Sequence, residues 1–337
     1  MNCIKQNPNT NNITCKYSNF GCQETFNTYD KSFIETHLEN CKFENHKEVK
    51  ELRTNISNIL LEMIIGEGDC IESSYIEDFL KKNSTYVKCL NFWWKNLGVK
   101  GLTELCRRLP YFTELQDLNL GNNEIGDEGA LVLAGVLPSL KNLRTFDLSW
   151  NNISSKGINA ITDNFKYFSQ LTKLELGWNN LGADGVKILS ENFKHLTNLE
   201  ELILGFNNLK DNGVEILSSN ISDLKNLKKL DLGNNLISKG LQFLSAKLEN
   251  LTLLEELYLN KNNISNKEAV ALFNGVKSNK NLQIVDVSRN IIDINGVVNI
   301  ANIIKSNQYI QSICLSDVRI NKEQVENASK LDSRLSL

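Results

Sequence analysis

Four residues near the amino terminus have the types and spacing of a metal site. In CKYSNFGCQETFNTYDKSFIETHLENC (15–41), Cys15, Cys22, His37 and Cys41 read C-x6-C-x14-H-x3-C. His37 and Cys41 stand four apart in a segment that Asp30 can cap, so a helix would project both from one face toward the Cys15/Cys22 loop. Three thiolates and one imidazole complete a tetrahedral zinc set with no open position, which is structural rather than catalytic chemistry. Unliganded thiols are the other reading; His46 can replace Cys41 in a variant set, and Cys3 has no evident partner. The other four of the eight cysteines, Cys70, Cys89, Cys106 and Cys314, are scattered.

Acid–base chemistry has little to work with. The chain has three histidines; beyond the zinc cluster there is His195, in NFKHL at a helix end, with no Ser or Cys nucleophile in an evident constellation. No glycines stand in GxGxxG or GxxxxGK[ST]. An enzyme is not expected.

A third group is aromatic. LSWNN (148–152), LGWNN (176–180) and LGFNN (204–208) return a large ring to one place, which elsewhere holds Asn122, Asn234, Lys261 or Arg289. Trp94 occupies that place further upstream, preceded by Trp93. These residues are positioned by a repeat: LxxLxLxxNxL opens at 115, 143, 171, 199, 227, 254 and 282, with degenerate copies at Val87 and Ile310, in steps of 28 broken by a single 27.

This pattern resembles the leucine-rich repeat family, and its long second half is similar to the ribonuclease-inhibitor class, over 87–337. The LxL core is a period-two strand with leucines on one face. Behind it, runs such as EGALVLAGVLPSL (128–140) and ADGVKILSENFKHL (183–196) carry helical spacing. One strand and one helix cannot bury both apolar faces alone, but stacked copies can. The expected fold is therefore an α/β leucine-rich-repeat solenoid, a horseshoe with the parallel sheet inside and helices outside, plus a small N-terminal zinc finger. The recurrent Asn (Asn123, Asn151, Asn179, Asn207, Asn235, Asn262, Asn290) bonds the main chain of the turn leaving the strand. Gly129, Gly157, Gly185, Gly213 and Gly296 either relieve crowding or allow an unusual backbone angle. Lys95 and Val318 replace the Asn in the end copies, and 321–335 reads as a closing helix.

Alternation places Trp150, Trp178 and Phe206 on the concave side of adjacent strands about 4.8 Å apart. Each such ring can bury about 150–250 Å². They form either a strip for a partner or a stack that stiffens the sheet. Asp117, Asp147, Glu175, Glu201, Asp231, Glu256 and Asp286 flank the strip, offset by Lys173, Lys229, Lys261 and Arg289, and Tyr258 extends it. The expected binding residues are Trp93, Trp94, Trp150, Trp178, Phe206, Asp147, Glu175, Glu201, Asp231 and Tyr258, suited to a protein with apolar anchors and basic side chains.

The 15–45 segment, through Cys15, the FGC ending at Cys22 and HLENC from His37 to Cys41, resembles the zinc finger of the TRAF type. That resemblance implies an adaptor, with ubiquitin-pathway or signalling proteins as partners. The boundaries read 1–14 disordered, 15–45 finger, 46–86 helical linker and cap, and 87–337 repeats. Val49, Leu52, Ile56, Ile59 and Met63 mark either a capping helix or a short coiled coil, and 71–83 a second amphipathic helix.

Net charge −3 and pI 5.8 argue against a nucleic-acid or membrane partner. The polar amino terminus, the lack of a long apolar stretch and the cysteine usage point to the cytoplasm. The chain reads as an intracellular scaffold or adaptor holding a protein on its concave face. The alternative is a regulator of a partner enzyme such as a small GTPase or nuclease.

Overall fold

The computed structural model describes residues 4–6, 12–15, 25–27, 84, 87–328 and 330–337. The chain divides into two units, Met1–Cys89 and Leu90–Leu337. In the first, β1 (Ile4–Gln6), β2 (Asn12–Cys15) and β3 (Thr25–Asn27) form an antiparallel sheet in which Ile4 pairs with Cys15 and Asn12 with Asn27. β1 and most of β2 occupy the stretch where the sequence predicts a disordered terminus. Cys22, His37, Cys41 and the helices expected over 46–83 lie outside the described residues.

Each LxL core becomes a short strand: β4 (Cys89–Asn91), β5 (Asp117–Asn119), β6 (Thr145–Asp147), β7 (Lys173–Glu175), β8 (Glu201–Ile203), β9 (Lys229–Asp231), β10 (Glu256–Tyr258), β11 (Ile284–Asp286) and β12 (Ser312–Cys314). With β13 (Leu335–Ser336) they make a ten-stranded sheet in sequence order. The pairs β5–β6 through β12–β13 are parallel and in register, as in Lys173↔Glu201. Leu174 and Leu176, Leu202 and Leu204, and Leu230 and Leu232 are fully buried, whereas Lys173, Glu175 and Glu201 on the opposite face are half-buried. This is the two-residue alternation of a sheet with one face packed.

The recurrent asparagines knit successive turns. The Asn151 amide nitrogen donates to Leu120 O (2.9 Å), Leu148 O (3.1 Å) and Ser149 O (3.1 Å). Its Oδ1 accepts from Asn123 N (2.9 Å) and Ile125 N (3.3 Å) of the preceding repeat. Asn179, Asn207, Asn235, Asn262 and Asn290 repeat the donor pattern, so each side chain satisfies main-chain groups that the turn would otherwise bury unpaired.

From Gly98 to Asn250 the second half of each copy is an α-helix followed by a 3₁₀ turn rather than one long helix, whereas the helices Asn266–Val276 and Ile294–Ile304 lead to the next strand without one. Gly182–Glu191 is α-helical and Phe193–His195 is 3₁₀; Gly126–Ala134 is followed likewise by Leu137–Ser139. Asn192 folds its amide back onto Ile188 O (2.9 Å), and the tighter turn delivers Phe193 into the core with no exposed surface. Crowding explains the helix glycines: a side chain on Gly157 would meet Asp127 Oδ1 at 2.6 Å, and one on Gly296 would strike the Asn266 amide.

Two places depart locally from the repeat. The 27-residue copy has the short helix Leu241–Ser245, beside a polar cavity of about 710 Å³ lined by Ser245, Asn274, Lys277 and Asn281 among others. At the carboxyl end the expected closing helix spans only Lys322–Ala328, and the chain then joins the sheet as β13. Arg334 draws it back, donating to Ile304 O (3.1 Å) while its guanidinium pairs with Asp332.

Candidate functional site

Trp150, Trp178 and Phe206 stand three residues beyond the ends of β6, β7 and β8, on the turns that leave the sheet. Hydrogen bonding still runs through them: Trp150 N donates to Gly177 O (2.9 Å) and Trp178 N to Gly205 O (2.8 Å). All three adopt left-handed backbone angles, φ 57°, 55° and 59°. So do Trp94, Asn122, Asn234, Lys261, Arg289 and Asp317 at the same place in other copies. The repeat requires this conformation, which costs an L-residue about 1–2 kcal/mol and suits Asn better than a bulky ring.

The rings form one stack. Trp150 and Trp178 lie 3.7 Å apart between centroids at 14°, and Trp178 and Phe206 3.4 Å apart at 12°. Aromatic pairs prefer offset or edge-on contact at about 4.5–7 Å, so repeat geometry holds these rings face to face. Lys261 places its ammonium 5.4 Å from the Phe206 centroid. Trp150 and Trp178 remain 43% and 41% exposed. The rings are therefore stacked on one another while their edges stay in solvent.

With Asn152, Asn208, Asn234 and Leu236, the stack lines an open groove of about 490 Å³. Leu236 has φ 58° and is 49% exposed, a further bulky residue held in the left-handed region, two positions beyond the place the rings occupy. Sequence reading missed it; the signal was an apolar residue at a position where the preceding copies carry Asn152, Asn180 and Asn208.

Other expected binding residues fall elsewhere. Trp94 is 74% exposed and separated from the stack by Asn122. Trp93 lies over Gly121, where any side chain would collide with its ring, and its amide donates to Asn91 Oδ1 (2.9 Å). The acidic row does not line the groove. Asp147 is buried and its Oδ1 accepts from Ser149 N (2.9 Å) and Oγ (2.6 Å); burial, aided by the Glu175 carboxylate, raises its pKa. Asp231 accepts from Gly233 N (2.8 Å), and burial likewise raises its pKa. Glu175 and Glu201 flank the Lys173 ammonium at 2.6 and 3.5 Å. Glu256 pairs with Lys229 (2.9 Å), which lowers its pKa, and accepts from the Tyr258 hydroxyl (2.9 Å); Lys229 also lies 4.8 Å from the Tyr258 ring centroid. These carboxylates thus have partners within the chain, turning strand exits or neutralising lysines.

Cys15 is described only as the end of β2, so the four-residue zinc set has no geometry to report. Among the described residues no group of three or more His, Cys, Asp or Glu side chains is placed to hold a metal. Burial pushes the Cys106 thiol up to about 12, out of reach of thiolate chemistry at neutral pH. His195 is exposed at the end of its 3₁₀ turn. No described helix is long and apolar enough to cross a membrane.

Comparison with known proteins agrees with the repeat reading. A family model described as leucine-rich repeat matches residues 113–134, 139–161, 170–190 and 195–218. No curated protein matches the chain. Among solved structures, a leucine-rich-repeat protein of Leptospira interrogans aligns at 17% identity and TM-score 0.45, covering 90% of this chain and 98% of that one. TLR13, in its complex with ssRNA13, aligns at 18% identity and TM-score 0.47, covering 72% of this chain and 34% of TLR13. The four matched segments are leucine-rich repeats, and the copies that follow them repeat the same strand, asparagine ladder and helix.

Proposed function

We propose that this protein is a scaffold that holds a protein partner against the Trp150–Trp178–Phe206 stack. Leucine-rich-repeat domains in general mediate protein–protein interaction. The observation that carries the reading is the left-handed backbone under all three rings. Asn122 and Asn234 fill the same place at lower conformational cost, so the fold does not need rings there. A strained, solvent-facing residue retained against that cost is a functional signal.

The acidic row favours a scaffold over an electrostatically recruited enzyme regulator. An inhibitor or activator of a basic nuclease or a small GTPase acting through that row would need free carboxylates. Glu175, Glu201 and Glu256 are paired with Lys173 and Lys229, while Asp147 and Asp231 hold main-chain amides. In this reading the repeats belong to the ribonuclease-inhibitor class, and Cys15, Cys22, His37 and Cys41 bind a structural zinc ion in a finger that serves as a second docking module or a folding staple.

The test is paired affinity capture with the full chain and a Trp150→Asn/Trp178→Asn/Phe206→Asn variant shown by circular dichroism to be folded. Asn is the right replacement because it accepts the left-handed backbone. A protein retained by the wild type and lost from the variant is the expected result; identical captures overturn the assignment of the stack.

A further inference from the structure

The groove over the stack carries no formal charge on any lining residue, in a chain of which 23% is charged. Its polar groups are neutral, and all but those of Asn179 are unused among the described residues. The side-chain amides of Asn152, Asn208 and Asn234, and the indole N–H groups of Trp150 and Trp178, make no hydrogen bond among the described residues and are not among those with further partners. Asn179, which also lines the groove, differs, since its amide nitrogen already donates to Leu148 O (2.9 Å) and Leu176 O (3.0 Å). Trp178 has both faces covered by Trp150 and Phe206, and the Lys261 ammonium lies over the Phe206 ring. What the groove offers is therefore ring edges, free amides and the half-exposed Leu236.

We infer that this groove binds a short, extended, uncharged stretch of polypeptide bearing one bulky apolar side chain. The inference rests on the scaffold reading and specifies the occupant of the same site. A main chain alternates N–H donors and C=O acceptors, and each asparagine amide supplies one acceptor and two donors, with the indoles adding donors. The apolar side chain packs against Phe206 and Leu236. From Trp150 to Asn234 the groove crosses three inter-strand steps of about 4.8 Å, roughly 14 Å, which matches about four residues of extended chain at about 3.3 Å each. A single-stranded nucleic acid fits less well, because its phosphates need cations that the lining lacks. A sugar needs an open ring face, and the central ring offers none.

The experiment pans the full chain against displayed random heptapeptides, with a random single-stranded RNA pool selected in parallel. The expected peptides share an uncharged core with one large apolar residue. Their affinity stays within about twofold when NaCl rises from about 0.05 to about 0.5 M. It falls at least about tenfold in Trp178→Asn or Leu236→Asn protein, and again when a core peptide N–H is N-methylated. Enrichment of Lys- or Arg-rich, salt-sensitive peptides, indifference to N-methylation, equal binding to both variants, RNA enrichment alone, or no enrichment overturns the inference. If the triple Asn variant nevertheless loses a captured protein, the scaffold reading stands and only the occupant is wrong.

Discussion

Trp150 and Trp178 stack face to face at 3.7 Å although 28 residues separate them, because each occupies the same left-handed position on its own repeat. The contact is a product of the period: any two side chains at this place on neighbouring copies are brought alongside.

Replacing Trp178 by Asn, which removes two ring pairs, should cost no more than about 2 kcal/mol of global stability. Relief of the left-handed backbone returns roughly 1 kcal/mol, against about 0.5–1.5 kcal/mol lost for each ring pair. Urea unfolding measures the balance, and the exciton couplet of the stacked indoles should vanish from the circular dichroism spectrum. A loss above about 3 kcal/mol would instead identify the stack as a structural brace.

Asn207→Ala should behave oppositely. The Asn207 amide nitrogen donates to Leu176 O (2.8 Å) and Leu204 O (3.1 Å), and its Oδ1 accepts from Leu181 N (3.3 Å), all buried. Orphaning buried groups costs about 1–3 kcal/mol each, so destabilisation of about 2–4 kcal/mol is expected. Hydrogen exchange should show it concentrated in the copies around β7 and β8, since a solenoid couples nearest neighbours.

Asp147→Asn should stabilise the protein at pH 7. Burial raises the Asp147 pKa above its ordinary 3.8, so at neutral pH the folded state bears an unfavourable charge that the unfolded state does not. Asn keeps an acceptor for Ser149 N, as Asn119 does for Gly121 N (2.9 Å) one repeat earlier. The gain should be full above the folded pKa, shrink as pH falls through it, and vanish only well below about 3.8, where the carboxyl is protonated in both states. Paired melting curves across that range check it; a gain independent of pH would point to packing instead of charge.

Gly240→Ala should destabilise by about 1–3 kcal/mol through overpacking. The added carbon would sit 2.5 Å from Asp211 O and 2.6 Å from its Cα, both main-chain atoms that cannot rotate away. Gly240 itself has φ −58°, so a shift in melting temperature would report crowding alone.

Purified full-length chain should contain one equivalent of zinc by elemental analysis, lost on Cys22→Ser substitution. A metal-free wild type would return Cys15, Cys22, His37 and Cys41 to ordinary thiols and imidazole.

The amino-acid sequence by itself determined the period, the strand face carrying Leu174 and Leu176, the helical second half and the asparagine ladder. Each follows from local spacing of one residue type, and the stacked copies repeat it. It also singled out Trp150, Trp178 and Phe206 by their shared phase. Only the tertiary structure decided what those rings do. Strand alternation alone put them on the sheet face among the acids, whereas the turn after each strand rotates the chain into the left-handed region and carries the rings beside Asn152, Asn208 and Leu236. Similarly, the carboxylates looked like a field for a basic partner until the register set Lys173 between Glu175 and Glu201 and buried Asp147 against its own turn. Partners one repeat away are set by three-dimensional stacking, and a linear pattern shows their types without showing which of them are already paired.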